Sequence, residues 1–338
     1  MAWLKNIIDL FIAEPTDRFS PLAPRDPASR VKKVMLVHWL APGPLAPAGQ
    51  AGRGRKKNCL LFLMHFWNIA GRTSENIKQE TKMGEISSDV QYHIGLKKGD
   101  VGRYVILPGD PGRVPKIAGY FDDAKEMANN REYRTYTGSV DGIKVSCTST
   151  GIGCPSTAIA VEELIKIGAD TFIRIGTAGS LQKEVGLGDV CVTTAAVREE
   201  GTTQQYVPLS YPAVADLDVT WALREGAKKL GLRVHAGIGQ CKDAFYTEGK
   251  EGEELPLANY NRDRWTAWYR SNVISTSMES AALFVVSSIR RVHAGEILAI
   301  IGLTYDDKPI VAKVGVDDAI KAAIEAIKIL EKMRNPKK

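Results

Sequence analysis

The sequence is poor in the residues from which metal sites and disulfide frameworks are built. It has five cysteines and five histidines in 338 residues. The histidines form no H-E-x-x-H or H-x-H cluster, and no two cysteines are spaced as C-x-x-C, which argues against a zinc site and a disulfide framework. Scattered cysteines are typical of a reducing compartment, and we expect a cytoplasmic protein. The cysteines are Cys59, Cys147, Cys154, Cys191 and Cys241.

Long apolar runs and a Walker loop are also missing. The longest apolar run extends from Cys59 to Trp67 and is interrupted by His65, so it falls well below the about 18 residues that a membrane helix needs. Asp9 and Glu14 stand where a secretory signal peptide would be apolar. No G-x-x-x-x-G-K-[ST] motif occurs, which excludes a P-loop. We therefore expect neither membrane association nor secretion.

The net charge of +6 belongs to the first 83 residues. These hold 13 Lys and Arg against 6 Asp and Glu, whereas the remaining residues hold 32 against 33. The main part of the chain therefore lacks the basic signature of a nucleic-acid binder. Residues 1–83 are Pro- and Ala-rich without a sustained period, and three interpretations compete: a disordered targeting arm, a membrane-surface segment, or translated upstream sequence. We favour the third, with Met83 as the native start and residues 84–338 as the folded domain.

Strand and helix patterns alternate steadily from Tyr104 onward. This alternation predicts an α/β fold, with a single domain built on a central mixed sheet flanked by helices. Ligands of such sheets bind at the loops that follow the carboxyl ends of strands. The predicted strands cover residues 104–107, 132–140, 143–148, 171–173, 189–197, 234–240, 273–276 and 297–301, and the predicted helices cover 114–120, 156–167, 217–230, 278–290 and 317–333.

Glycine-bearing loops are predicted after four of these strands, at residues 109–113, 151–153, 176–179 and 302–304. Arg113 and Arg174 lie in or beside two of the loops, and Arg131 begins another strand. Guanidinium groups, free backbone N–H groups and a hydroxyl such as that of Thr177 are what a phosphate binder needs. One loop alone is weak support, but the set together predicts a phosphate site.

Two residues of this region have both a structural and a functional interpretation. Arg174 lies in an apolar strand, where an unpaired guanidinium is costly, so it needs a carboxylate or a bound anion unless the strand is at the sheet edge and the side chain is solvated. Glu279 opens an apolar helix. Either Ser277 caps this helix and Glu279 favours its positive end, or Glu279 accepts hydrogen bonds from a diol such as the ribose hydroxyls. Spacing alone leaves both pairs of interpretations open.

Several motifs fall in one specific order along the chain. They are His93-Ile-Gly-Leu96, Gly109-Asp-Pro-Gly-Arg113, Arg131-Glu132, Ser149-Thr-Gly-Ile-Gly-Cys-Pro-Ser-Thr157, Val161-Glu-Glu-Leu164, Arg174-Ile-Gly-Thr177, Asp243-Ala-Phe245-Tyr246 and Met278-Glu-Ser280. With them, the chain from about Tyr92 onward resembles the nucleoside phosphorylase-I family, and within it the uridine phosphorylases most. Chains of this family begin just before the His93 segment, which favours Met83 as the start.

The resemblance implies phosphorolysis of a nucleoside, with uridine as the first candidate, to free base and ribose 1-phosphate. Phosphate would be a co-substrate, no cofactor would be needed, and the active form would be a homodimer or a hexamer of three dimers. Phosphate would be held by Gly109, Arg113, Arg174 and Thr177, with Arg131 from a neighbouring subunit; ribose by Met278, Glu279 and the neighbour's His93; and the base by Phe245, Gly179 and Lys250. Glu132, Ile152 and Ser156 match positions that bind a monovalent cation, with K⁺ as the candidate, between two subunits.

The sequence departs from the uridine phosphorylases in the base pocket. Those enzymes read uracil with a Gln and an Arg shortly after the Phe that matches Phe245, but here the stretch runs from Thr247 to Gly252 without either at the matching spacing. Lys250, or an arginine of residues 262–270, is the candidate replacement. The alternatives are a purine nucleoside phosphorylase, whose characteristic Asp has a near counterpart at residues 306–307, a nucleosidase of the same family, or a non-catalytic nucleoside-binding protein. Three arginines favour phosphate over water as the acceptor.

Overall fold

The computed structural model describes residues 89–304 and 314–335, and these form an α/β domain around a mixed sheet. The predicted fold class, a central mixed sheet flanked by helices, is confirmed. The predictions for residues 1–83, for a start at Met83 and for the aspartates at 306 and 307 lie outside the described residues.

The described residues form ten strands and six α-helices. None of these helices is long and apolar enough to cross a lipid bilayer. The strands are β1 (Tyr104–Pro108), β2 (Asp122–Asn130), β3 (Tyr133–Val140), β4 (Ile143–Thr148), β5 (Thr171–Ser180), β6 (Val190–Glu199), β7 (Ala213–Val214), β8 (Val234–Lys242), β9 (Ser275–Ser277) and β10 (His293–Leu303). The helices are α1 (Val114–Ala118), α2 (Cys154–Lys166), α3 (Leu217–Lys229), α4 (Ala258–Arg270), α5 (Ser280–Arg290) and α6 (Val316–Arg334).

The strand order is β10-β6-β8-β9-β5-β1-β4-β3-β2, with β7 paired to β6. β10 pairs with β5 as well as with β6, so β5, β10, β6, β8 and β9 close into a ring. The strands β1, β4, β3 and β2 extend from β5 as an open sheet. β5 therefore belongs to both parts and lies at the centre of the fold.

The core lies on both faces of the sheet. β1 is buried along its whole length, and alternate residues of a strand point to opposite faces. Tyr104 and Ile106 pack in one apolar cluster with α3 and α6. Val105 and Leu107 pack in a second cluster with α2 and α5. Because helices cover both faces of the sheet, the sequences of its inner strands are continuous apolar runs in which apolar and polar residues do not alternate.

Several predicted boundaries are wrong. Residues 176–179, which were predicted to form a loop, are part of β5, which ends at Ser180. β10 ends at Leu303 and so includes the first two residues of the loop predicted at 302–304. β2 and α4 were not predicted. β2 is a mostly exposed edge strand, and α4 buries no residue, so neither carries the apolar period that sequence interpretation depends on.

Candidate active site

A cavity opens beside β5, where two strands that flank it part. β1 pairs with β5 only up to Ile175, and β9 begins to pair at Gly179. The backbone of residues 176–178 therefore has no strand partner on this side in the described part of the chain, while β10 pairs with its other side. Residues 176–179 all line the cavity, which has a volume of about 890 Å³. Residues 176–178 can therefore belong to β5 through their pairing with β10 and still face the cavity with their other edge.

Arg174 supplies a buried positive charge to this cavity. It is 5% exposed and lies on an interior strand, so the solvated edge-strand interpretation is wrong. Its guanidinium donates through Nη2 to the Glu279 carboxylate and through Nη1 to Glu296 Oε1 at 3.2 Å. Glu296 also accepts from Thr193 Oγ1 at 2.6 Å and from Ser280 Oγ at 2.7 Å. The predicted need for a carboxylate partner is thus met twice.

The charges of this cluster are shifted in directions that follow from burial and pairing. Burial acts to lower the pKa of Arg174, but attraction from Glu279 and Glu296 outweighs it and raises the pKa. Burial raises the pKa of Glu296, and the neighbouring guanidinium only partly opposes this. The Nε atom of Arg174 is buried without a hydrogen-bond partner in the described residues. Arg174 therefore stays cationic and keeps one donor free.

A second guanidinium, that of Arg113, lines the same cavity. Arg113 is the last residue of a 3₁₀ turn over Pro111–Arg113, and the turn is capped by Asp110, whose Oδ1 accepts a hydrogen bond from Gly112 N at 2.7 Å. Burial, and then repulsion from Arg174, lowers the pKa of Arg113. No salt bridge joins Arg113 to a carboxylate among the residues that the structure describes. A bound anion would relieve both of these unfavourable effects.

Glu279 forms another part of the cavity wall, immediately before α5. Its Oε1 accepts from Gly153 N at 2.8 Å, and its Oε2 accepts from Arg174 and from Met278 N at 3.2 Å. Ser277 belongs to β9 and makes no cap hydrogen bond to α5, so the interpretation of Ser277 as a helix cap is wrong. Glu279 therefore places a buried hydrogen-bond acceptor, 4% exposed, at the cavity.

The segment that follows β8 supplies a further wall. The rings of Phe245 and Tyr246 are exposed and meet edge to face, with centroids 5.2 Å apart. Lys250 and Gly179, predicted to contact the base, both line the cavity. A Cβ atom at Gly179 would lie 2.6 Å from Thr304 Cγ2, so a side chain there would require Thr304 to shift. The sequence interpretation missed Lys242 and Glu248, which line the cavity on either side of Phe245 in the chain.

The predicted site residues divide into two groups. Those that line the one cavity are Gly109, Arg113, Ile152, Arg174, Thr177, Gly179, Phe245, Lys250, Met278 and Glu279. Those that do not line it are His93, Arg131, Glu132 and Ser156. The second group contains both residues that the family resemblance assigns to a neighbouring subunit.

His93 and Arg131 lie together on a different part of the surface. His93 Nδ1 is 2.6 Å from Glu163 Oε1, and its backbone oxygen accepts from Asn130 Nδ2 at 2.8 Å. The guanidinium carbon of Arg131 lies 5.6 Å from the centre of the Tyr92 ring. Arg131 has a positive φ of 55°, which is uncommon for a residue with a side chain.

Glu132, Ile152 and Ser156 lie around the Gly151 turn. Ser156 Oγ donates to Ile152 O at 3.3 Å, and a Cβ atom at Gly151 would lie 2.9 Å from Glu132 Cγ. Ile152 is 78% exposed. In the part of the chain that the structure describes, no group of three or more His, Cys, Asp or Glu side chains is arranged to hold a metal ion.

Comparison with known proteins agrees with this geometry. The sequence model of the Phosphorylase superfamily matches residues 103–333. The chain is 46% identical over 254 residues to the uridine phosphorylase of Treponema pallidum, covering 74% of this chain and 98% of that one. It is 48% identical over 242 residues to the uridine phosphorylase of Thermococcus kodakarensis (71% and 87%), and 38% identical over 250 residues to the guanosine phosphorylase of Halorubrum lacusprofundi (71% and 99%). The chain therefore belongs to the phosphorylase superfamily, as a nucleoside phosphorylase-I type member that is most like the uridine phosphorylases.

Proposed function

We propose that this protein catalyses the phosphorolysis of a nucleoside, with uridine as the first substrate, to free base and ribose 1-phosphate. One observation carries the proposal. One buried guanidinium, one half-buried guanidinium, a strand edge that is unpaired in the described residues and a buried carboxylate line a single cavity. The relatives named as uridine phosphorylases favour uracil as the base.

The phosphate dianion would bind between Arg113 and Arg174, where it would offset the burial of Arg113 and its repulsion from Arg174. Backbone N–H groups near Gly109 and the hydroxyl of Thr177 would complete its shell, because all of these groups line the cavity. Phosphate held in this way is oriented as a nucleophile. Positioning and electrostatics are then the main catalytic terms, and no protein nucleophile is required.

Ribose would lie against Met278 and Glu279, which follow β9 in the cavity wall. The Glu279 carboxylate would release Arg174 to the phosphate and accept hydrogen bonds from the 2′- and 3′-hydroxyls instead. A phosphate oxygen would then attack the anomeric carbon as the bond to the base nitrogen breaks. The bonding electrons leave with the base, which takes up a proton, and the new C–O bond gives ribose 1-phosphate. Positive charge that develops on the sugar would be stabilised by the nearby phosphate.

We further propose that the active unit is a homodimer, or a hexamer built from dimers. His93 and Arg131 lie together, outside the cavity of their own chain. In such an assembly both residues would enter the cavity of a neighbouring subunit. There His93 would contact the ribose 5′-hydroxyl and Arg131 would contact the phosphate. Glu132, Ile152 and Ser156 would hold a monovalent cation such as K⁺ between two subunits. A monomer in light scattering that still turned over would refute the shared site.

A cytoplasmic location is also part of the proposal. The cysteines of the described residues are free thiols, and the sulfur atoms of Cys154 and Cys241 are 3.6 Å apart without a bond. Two unlinked thiols this close suit a reducing compartment.

The second candidate is a purine nucleoside phosphorylase, because one relative is named a guanosine phosphorylase. A base-release assay separates the candidates: uridine, thymidine, deoxyuridine, inosine, guanosine and adenosine, each with and without phosphate. Phosphate-dependent release of uracil supports the proposal. Release of a purine alone supports the second candidate, release without phosphate identifies a nucleosidase, and no release from any nucleoside favours a binding protein.

A further inference from the structure

Lys242 and Glu248 form an ion pair in the cavity wall. Glu248 belongs to the stretch from Thr247 to Gly252 that lacks the usual uracil-reading residues, and Lys242 is the last residue of β8. The Lys242 ammonium donates to Glu248 Oε2, and the side chains are only 9% and 16% exposed. Removing two charges from water is costly, so a stabilising role is a weak explanation for this pair and its place in the cavity wall points to a ligand.

Neither member of this pair uses all of its hydrogen-bonding groups on other residues of the described chain. Glu248 Oε1 accepts from Gln240 Nε2 at 3.2 Å, and Gln240 Nε2 also donates to Glu199 Oε2 at 2.6 Å. A carboxylate accepts about four hydrogen bonds and an ammonium donates three, so in the described residues Glu248 can accept more and Lys242 can donate more. The pair thus presents an acceptor next to a donor.

Glu199, the other carboxylate of this network, differs from Glu248 in its hydrogen-bond partners and in its place outside the cavity lining. It accepts hydrogen bonds from Trp268 Nε1 at 2.8 Å and from Gln240 Nε2, and it forms an ion pair with Arg264, whose Nε lies 2.8 Å away. It is not part of the cavity lining, whereas Glu248 and Lys242 are. Glu199 is therefore occupied in joining β6 to α4. Glu248 is the carboxylate of this network that a ligand can reach.

We propose that Lys242 and Glu248 read the base and select those with a ring N–H beside a carbonyl group. The Glu248 carboxylate accepts the ring N–H, and the Lys242 ammonium donates to the neighbouring carbonyl oxygen. Uracil, thymine, hypoxanthine and guanine carry this edge. Cytosine and adenine carry a bare ring nitrogen beside an amino group, which would set acceptor against acceptor and donor against donor. This inference rests on the proposed function, because it takes the cavity to hold a nucleoside.

The test compares two matched pairs of nucleosides, uridine with cytidine and inosine with adenosine. We expect the wild-type protein to favour the keto member of the preferred pair by about 1000-fold or more in kcat/KM, because a wrong base leaves buried polar groups unpaired. Glu248→Gln and Lys242→Met should each lower that ratio at least about tenfold and leave the KM for phosphate unchanged. A role confined to holding the loop would slow both members of a pair alike.

Lys229 and Glu325 provide the control. Their 2.5 Å pair has the same chemistry and joins α3 to α6 on the surface, so Lys229→Met and Glu325→Gln should keep the wild-type ratio. Unchanged ratios in Glu248→Gln and Lys242→Met would overturn the inference and leave the proposed phosphorolysis intact. The two nucleoside pairs also separate a pyrimidine site from a purine site.

Calorimetric titration of the wild-type protein with uridine, cytidine, inosine and adenosine, without phosphate, tests the inference independently of turnover. Tighter binding of the keto nucleosides that is lost in Glu248→Gln supports it, even if no base is ever released and the proposed phosphorolysis fails. Equal binding of keto and amino nucleosides overturns it.

Discussion

Replacing Arg174 with methionine should damage stability and activity separately, because this one side chain neutralises two buried carboxylates. Arg174→Met leaves Glu279 and Glu296 unpaired at 4% and 0% exposure. Removing one partner of a buried ion pair costs about 3–5 kcal/mol. The lower end applies here, since Glu279 keeps the Gly153 N–H and Glu296 keeps the Thr193 and Ser280 hydroxyls.

A second substitution separates the two effects. Glu296→Gln in the Arg174→Met background removes one unpaired charge, so the double variant should regain at least about 1 kcal/mol over Arg174→Met. Phosphorolysis should remain lost in both, because neither has the guanidinium that would bind phosphate. Glu296→Gln alone should be milder than Arg174→Met, since Arg174 keeps Glu279 as a partner.

The assay is urea unfolding of the wild type, both single variants and the double variant at one fixed protein concentration, with phosphorolysis measured in parallel. Burial raises the pKa of Glu296, and without the Arg174 cation that opposes this effect the pKa of Glu296 should rise further. The raised pKa favours folding at low pH and this effect is lost as pH rises, so the deficit of Arg174→Met should shrink between about pH 8 and pH 5. Wild-type stability in Arg174→Met, or a double variant less stable than that single variant, would refute the reasoning.

Three further predictions concern single positions. Glu279→Ala should lower kcat/KM at least about 100-fold, the scale of a lost transition-state contact, and a near-normal rate would remove Glu279 from the ribose site. Gly176→Ala should raise the KM for phosphate while the circular dichroism spectrum stays native, because the new Cβ would lie 1.9 Å from Arg174 Nη1 and displace the guanidinium. Burial acts to raise the pKa of Asp170, but hydrogen bonds from Arg103 and Thr171 hold it below its usual range. This stabilisation is present above the unfolded pKa of about 3.9 and is lost as pH falls through the folded value, so Asp170→Asn should be less stable than wild type at pH 7 and equal to it in strong acid; a gap that persists in acid would contradict this.

The sequence predicts what a residue needs better than which residue supplies it. The apolar strand around Arg174 predicted a carboxylate partner, and the structure has two. The phosphate site that the glycine, arginine and hydroxyl pattern indicates stays a prediction. Which carboxylates serve could not be predicted, because Glu279 and Glu296 lie 105 and 122 residues further along the chain. Only the pairing of β5 with β10 and β9 brings them together.

Elsewhere, tertiary contacts override local signals. The sequence predicts that Gly176 and Gly179 are loop residues, but their pairing with β10 keeps them in β5. β2 has few apolar residues and is held by its pairing with β3 at the edge of the sheet. The base-contacting pair of Lys242 and Glu248 was missed because neither residue matches the uridine phosphorylase pattern. Their significance comes from burial and from their place in the cavity wall.

Phosphorus-31 NMR of the protein with uridine and inorganic phosphate tests the central claim most directly. The account predicts that the phosphate signal is converted to ribose 1-phosphate in step with the uracil released, and that no uracil forms without phosphate. Uracil released together with free ribose, while the phosphate signal stays unchanged, would contradict the account, because water rather than phosphate would then be the acceptor.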